Sequence, residues 1–467
     1  MIETEKTAQP CGLANVSCSE FTPQTAQQAS ALDQLMTFAT GKHGARAMTL
    51  AGYAGTGKTT LVGELVRRLG QEMAIAVAAP THKAVSVLRE KVGEAAPAEF
   101  ATLHSLLGLR LKPQHDGTYR CLPEGVPTIG EFALVIIDEA SMVHRELFSL
   151  VMSPAYQGTR LLFVGDPAQL PPVEDAGETS MAFSRIQHQV MLTDVCRQAA
   201  EHPAIQLSMR IRAAIEQGVR LDAGRVASLC ASRDADVLFG TGGGVTAFNW
   251  AFYDLKAGHD TRILAWRNRT VRAYNRDLHV ALHGDATPFA VGETLMLNDS
   301  HGGRLDDGGD PMRALKVTLH NSEETVVHAI TRALHPRHED VSAWRIVVQR
   351  DNGQRAVLWI ADNEDVRQAQ ISAMFRRASD IKRQMTAGFN APLDAERVEL
   401  IRKAWALREA FADARHVYAM TVHKSQGSTF DTAIVDVADL ETCRGDEYNQ
   451  LLYVAATRPR YHLAFIA

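Results

Sequence analysis

The stretch Gly52-Tyr53-Ala54-Gly55-Thr56-Gly57-Lys58-Thr59 decides how the rest of this chain is read. It has the spacing GxxxxGK[ST]. It follows an apolar run at residues 47–51 that reads as a strand, and it opens a segment at 61–69 that reads as a helix. A strand–loop–helix of this composition is a phosphate cradle: its glycines let backbone N–H groups turn inward, and the helix N-terminus adds a favourable dipole. Lys58 is placed to reach the β- and γ-phosphates of ATP, and Thr59 to offer its hydroxyl to Mg²⁺. Gly52, Gly55, Gly57 and Thr60 complete the expected nucleotide contacts around them.

A cradle without a metal-holding carboxylate is only an anion site. The partner is expected at Leu134-Val135-Ile136-Ile137-Asp138-Glu139, where an apolar strand ends in two acids. Asp138 is the candidate Mg²⁺ contact, and Glu139 the residue that orients or deprotonates the attacking water. Hydrolysis also needs positive charge at the γ-phosphate, for which Arg197 and Arg458 are the candidates.

Short aliphatic runs at 47–50, 74–79, 134–137 and 161–164, each followed by a turn and a helix-like segment, predict a buried parallel sheet wrapped by helices. The same texture returns at 263–264, 433–437 and 462–466, predicting a second α/β unit. Two stretches break the rhythm. Residues 109–121 alternate on both sides of Asp116-Gly117, a hairpin signal. Residues 291–362 hold short strands, two of them bracketing Asn352-Gly353, and read as a small β-barrel inserted in the second unit. His335 and His338 flank a proline and an arginine in what reads as a loop. Residues 366–417 then turn helical and basic, with ten Lys/Arg against six Asp/Glu. Gly240-Thr241-Gly242-Gly243-Gly244 lacks a lysine and the spacing of a second phosphate loop, and reads as a turn.

At 467 residues the chain needs several structural units, and 46% hydrophobic with 22% charged residues is a soluble globular composition. A net charge of -5 argues against wholesale coating of nucleic acid but not against a narrow basic channel. Cys11, Cys18, Cys121, Cys196, Cys230 and Cys443 show no CxxC spacing, so neither a disulfide framework nor a zinc site is expected, and a reducing cytoplasm fits best. No membrane span or signal segment is read.

With these segments in hand, the motif order resembles the superfamily 1 helicases, specifically their RecD/Dda-type B branch, from about residue 21 onward. Gln28 looks like the adenine-reading glutamine of that family, with Gln27 as the alternative register. Ala79-Pro80-Thr81-His82-Lys83-Ala84 and the segment around His104 resemble its DNA-contacting motifs. Val164-Gly165-Asp166-Pro167-Ala168-Gln169-Leu170-Pro171-Pro172 resembles motif III, with Gln169 as γ-phosphate sensor, and Arg197 falls on motif IV. Thr421-Val422-His423-Lys424-Ser425-Gln426-Gly427 resembles motif V, and Tyr453-Val454-Ala455-Ala456-Thr457-Arg458 motif VI. Pro459 departs from the family, which usually has a small residue there, and puts the tilt of Arg458 in doubt.

The resemblance implies an α/β protein of two RecA-like P-loop domains closing on ATP. After a tail at 1–20, the first would span 21–105 and 132–190, with a strand-separating pin at 106–131. The second would span 191–290 and 415–467, with an SH3-like barrel and basic helices inserted at 291–414. It also implies translocation on single-stranded DNA from 5′ to 3′ and binding at junctions with duplex, with replication or repair proteins as further partners.

Such a motor grips phosphates and stacks bases without reading sequence. Thr81, His82, Lys83, His104, Thr421, His423, Ser425 and Gln426 follow predicted strands and are the candidates to line its groove; helix capping is the other reading of Thr81 and Ser425. Trp266 closes a strand, where base stacking and a core position are both open. The rival readings are a helicase of another superfamily 1 branch acting on RNA and, more remotely, a nucleotide-gated binding subunit without catalysis.

Overall fold

The computed structural model describes residues 22–93, 96–175, 177–196, 202–230, 236–306, 315–388, 390–445 and 447–467. Two parallel sheets form its frame. The first has six strands in the order Glu99–Thr102, Ile75–Ala79, Leu134–Ile137, Arg160–Gly165, Ala47–Gly52 and Gln189–Leu192. Ile75–Ala79 and Leu134–Ile137 are buried along their whole length, which is why they read as unbroken aliphatic runs rather than alternating ones. Successive side chains still go to opposite faces: Val77 and Ile136 pack with Leu50, Leu61 and Leu65, whereas Ala76, Val135 and Ile137 pack with Leu147 and Phe163.

The second sheet has five strands in the order Ala419–Thr421, Thr261–Ala265, Phe430–Asp436, Pro459–Ile466 and Val237–Gly240. Its neighbours pair in parallel throughout. The expected start of the second unit at residue 191 needs correcting. Gln189–Leu192 pairs residue by residue with Thr49–Gly52 and so belongs whole to the first sheet.

Leu109–Pro113 and Tyr119–Pro123 form a separate two-stranded antiparallel hairpin. A lone ribbon of this size is marginal in water. This one is steadied at its tip, where Trp405 Nε1 donates to Gln114 O at 3.1 Å and Arg408 Nη1 donates to Gly117 O at 2.6 Å. Gly117, at φ 83°, also lies against the Phe375 ring, which a Cβ there would approach to 2.9 Å.

Between the strands of the second sheet comes a seven-stranded antiparallel sheet, with Lys316–Leu319 at one edge and Ala414–His416 at the other. Glu324–His335 and His338–Gln349 run twelve residues each and meet at Pro336-Arg337, so the segment read as a loop is the tight end of a long hairpin. Ala414–His416 pairs with Leu295–Leu297, and an expected boundary at 414/415 would cut through that strand. The helices Glu364–Gln384 and Ala391–Ala410 follow, packed together through Ile371, Phe375, Ala404 and Trp405.

Candidate nucleotide site and nucleic-acid groove

Strand Ala47–Gly52 ends where the phosphate loop begins, and helix Lys58–Leu69 starts where it ends. Gly55 and Gly57 hold φ of 77° and 83°, a region that side chains disfavour. Lys58 Nζ donates to Gly52 O at 2.6 Å and Tyr53 O at 2.9 Å, so the loop's own carbonyls hold the ammonium over the cradle. Thr59 and Thr60 lie in the first turn behind it.

Three carboxylates surround the lysine. Asp138 leaves strand Leu134–Ile137 with its N–H on Ala78 O at 2.8 Å. Glu139 follows at φ 51°, a left-handed conformation that costs a non-glycine residue free energy. Burial, then the neighbouring Asp138 charge, pushes Glu139 up to about 7 against the pull of Arg458 and Lys58. Asp138 and Asp166 are raised as well, first by burial. Such shifts gather where proton transfer is arranged.

The second sheet supplies the opposing charge. Arg458 is buried, with Nε on Val454 O at 2.9 Å and Nη1 on Ser425 O and Ser428 O at 3.3 and 3.2 Å. Its field acts on both Glu139 and Asp166. Pro459 opens the strand that follows, a position where a missing N–H is tolerated, and these carbonyls fix the Arg458 side chain. Tyr453 binds the sheets together: its hydroxyl donates to Asp166 Oδ2 at 2.6 Å and accepts the Ala54 N–H at 3.2 Å. Tyr53, in the loop itself, donates to Glu216 Oε1 at 2.9 Å and lies under the Arg212 guanidinium at 3.8 Å.

Gln169 is near this junction, with its carbonyl accepting from Gln450 Nε2 at 3.4 Å. Its Oε1 is buried and has no hydrogen-bond partner among the described residues, a costly state for a polar atom unless a ligand or water completes it. Gly427, at φ 73°, faces Glu139, whose Oε1 lies 3.7 Å from where a Cβ on the glycine would be. Arg197 lies outside the described residues.

Both candidate adenine readers, Gln27 and Gln28 of the helix Ala26–Ala39, are engaged. Gln28 Nε2 donates to Thr56 O at 3.1 Å and to Cys196 Sγ at 3.0 Å, and its Oε1 accepts the Gln24 N–H at 2.8 Å. Gln27 Oε1 accepts from Thr193 N and Asp194 N at 2.9 and 3.0 Å. In this geometry Gln28 clamps the phosphate loop through the Thr56 carbonyl.

The nucleic-acid candidates divide. Thr81 and Thr421 cap the helices that follow them, accepting from Ala84 N at 3.2 Å and Lys424 N at 3.3 Å. Ser425 is fully buried and donates to Val422 O at 2.7 Å, so its hydroxyl serves its own short helix and lines no groove. Trp266 is half-buried against the core of the second sheet. His82 stacks on His320 with ring centres 3.7 Å apart. Lys83 pairs with Glu324, beside Arg262, and both cations face the Phe430 ring. Half-buried His104 sits near the Pro80 carbonyl, His423 Nε2 meets Glu447 Oε1 at 2.6 Å, and Gln426 Nε2 is buried without a partner among the described residues. His82 and Lys83 thus meet His320 and Glu324 of the antiparallel-sheet segment, with Lys83 also facing Phe430 of the second parallel sheet, to which His423 and Gln426 belong.

Comparison with known proteins agrees with this frame. Residues 24–228 match the model of an AAA domain, and residues 416–466 that of a UvrD-like helicase C-terminal domain. The ATP-dependent DNA helicase Dda of Enterobacteria phage T4 is 24% identical over 446 residues, covering 90% of this chain and 94% of Dda. The RecD2 DNA helicase of Deinococcus radiodurans is 39% identical over 183 residues, 38% of this chain and 22% of RecD2. In sequence the chain is thus similar to DNA helicases of the RecD/Dda type. In fold it is similar to the Bacteroides Pif1 helicase crystallised with ADP-AlF3 and single-stranded DNA, with a TM-score of 0.51 at 18% identity over 95% of this chain and 92% of that one.

The sequence motifs contain Asp166, Tyr453 and Tyr53, but sequence reasoning gave none of the three a role of its own. Asp166 carried a signal, since it ends the apolar strand Arg160–Gly165 as Asp138 ends its own. Tyr453 stands in the stretch that resembles motif VI, but on the helix Glu447–Ala456 its hydroxyl reads as one more core side chain among small and aliphatic ones.

Proposed function

We propose that the protein is an ATP-dependent DNA helicase that moves 5′ to 3′ along one strand and splits duplex ahead of it. The observation that carries this reading is the Tyr453 hydroxyl held between Ala54 of the phosphate loop and Asp166, which makes the loop's shape depend on the approach of the second sheet. A motor needs such a dependence.

In the proposed cycle Lys58 leaves its two loop carbonyls for the phosphates of ATP, the Gln169 amide meets the γ-phosphate, and Arg458 offsets the charge that develops there. Glu139 accepts the proton of the attacking water; its raised affinity for protons suits that task near neutral pH. Thr59 at the helix start and buried Asp138 offer the oxygen ligands that Mg²⁺ prefers, and the ion, when bound, neutralises phosphate charge.

The remaining assignments follow the family and belong to the same proposal. The first parallel sheet with its helices and the second with its own act as the two RecA-like domains, the hairpin as the pin, and the antiparallel sheet as the SH3-like element. Single-stranded DNA and its junctions are the substrates, and a reducing cytoplasm the setting. The test compares ATP turnover with single-stranded DNA, single-stranded RNA and neither. Stimulation by DNA well above RNA supports the proposal, and equal or absent stimulation overturns its choice of substrate.

A further inference from the structure

We infer that the cleft between the hairpin and the two long helices binds the sugar-phosphate backbone of DNA arriving at the hairpin, a site distinct from the groove between the parallel sheets. The inference rests on the helicase reading above. The cleft has a volume of about 250 Å³ and is lined by Arg120, Gln114 and His115 of the hairpin and by Ser379, Lys382 and Arg397 of the helices, over a floor of Ala378 and Ile401.

Its lining suits phosphate. Arg120 and Lys382 are exposed and form no ion pair among the described residues; Arg120 acts on Asp116 only at longer range. Arg397 brings a third cation, tied to Asp394 at 2.7 Å. The one carboxylate on the lining, Asp116, directs Oδ1 to the Thr118 N–H and hydroxyl at 3.0 and 2.6 Å. Guanidinium, ammonium, hydroxyl and carboxamide groups bind phosphate oxygens without reading a base, as a motor indifferent to sequence requires. The apolar floor offers contact to a sugar.

The cleft is also held in shape. Trp405 and Arg408 bond the carbonyls of Gln114 and Gly117, the Phe375 ring closes on Gly117, and Tyr119 meets Trp405 edge-on with ring centres 4.8 Å apart. A preformed site loses little freedom when it binds. Its place beside the hairpin tip puts the phosphate contact where strands would part.

The test is the double variant Arg120→Ala, Lys382→Ala in the full-length protein, with a forked DNA and a single strand as probes. Each lost phosphate contact should lower the slope of log affinity against log salt by about 0.9, so the fork slope should fall by roughly 2 while the single-strand slope stays. Fork unwinding should drop several-fold with single-strand-stimulated ATP turnover unchanged. An unaltered fork slope overturns the inference, and so does an equal loss on fork and single strand, which would assign both cations to the main groove. If the unmodified protein shows no stimulation by single-stranded DNA, the helicase reading fails first and takes this inference with it.

Discussion

The hydroxyl of Tyr453 donates to Asp166 across the two parallel sheets at 2.6 Å, and the same oxygen accepts the N–H of Ala54 in the phosphate loop. Asp166 is fully buried, so its carboxylate depends on this bond together with the Ala168 N–H at 2.9 Å. Tyr453→Phe removes only the hydroxyl. A hydrogen bond to a charged group is worth about 1.5–3 kcal/mol net, so ATP turnover should fall roughly 10- to 100-fold if the bond acts in the hydrolysing state. Steady-state ATPase with single-stranded DNA checks this, and an unchanged kcat removes Tyr453 from the coupling.

Arg458 should matter to turnover far more than to binding. Losing one preorganised donor at a developing charge costs about 10²–10³ in rate. Arg458→Ala is expected in that range, with the affinity for a non-hydrolysable ATP analogue changed far less. Arg458→Lys should not restore activity, because an ammonium cannot span the carbonyls of Val454, Ser425 and Ser428 that hold the guanidinium. Rescue by lysine would mean that charge alone suffices.

Gly57 and Gln28 make a paired test. A Cβ on Gly57 would stand 2.3 Å from Gln28 Nε2, on a backbone at φ 83°. Gly57→Ala should weaken nucleotide binding more than tenfold, the left-handed backbone alone costing about 1 kcal/mol. Adding Gln28→Ala should recover part of that loss, as read by a fluorescent ATP analogue. If Gln28→Ala alone instead abolishes preference for ATP over GTP, the glutamine reads adenine and does not merely clamp the loop.

A buried cluster of His279, Glu293 and His416 gives a pH dependence with a definite sign. It joins the helix Asn268–His283 to both chain crossings of the antiparallel sheet, with His279 Nδ1 at 3.1 Å and His416 Nδ1 at 2.5 Å from the Glu293 carboxylate. His283 faces Tyr418 beside it, and Arg262 acts on Tyr418 from the neighbouring strand. The Glu293 bond raises His279 against the effect of burial. Burial pushes Glu293 up, but the two imidazoles outweigh it and hold the carboxyl below its ordinary 4.5. The His279 contribution is therefore complete below its ordinary 6.5 and fades as pH rises through its raised value. The Glu293 contribution is present above 4.5 and fades in acid. Thermal melts should show the Tm advantage over Glu293→Gln largest between those two values and shrinking on either side. A constant difference from pH 4 to 9 would contradict the assignment.

Local signals made much of the fold legible. The phosphate loop declares itself because strand, cradle and helix follow one another within residues 47–69, and the hairpin because Asp116-Gly117 must turn. What stayed hidden depends on partners far along the chain. Nothing near Gln189–Leu192 says that it adds to the first sheet rather than opening the second, since both choices bury the same aliphatic side chains. Ser425 and Gln426 are adjacent and equally polar, yet only the fold turns the serine hydroxyl back into its own helix. Tyr453 looks like packing until Asp166, 287 positions earlier, is placed beside it.

The central claim is that ATP hydrolysis at Lys58 and Glu139 drives strand separation with a direction. The most direct measurement is ATP-dependent displacement of a labelled strand from DNA duplexes carrying a 5′ or a 3′ single-stranded tail, with Lys58→Ala as control. Displacement on the 5′-tailed duplex alone, abolished in the control, is the expected result. Displacement only from the 3′ tail would reverse the proposed direction, and none from either, despite DNA-stimulated ATP turnover, would contradict the helicase claim itself.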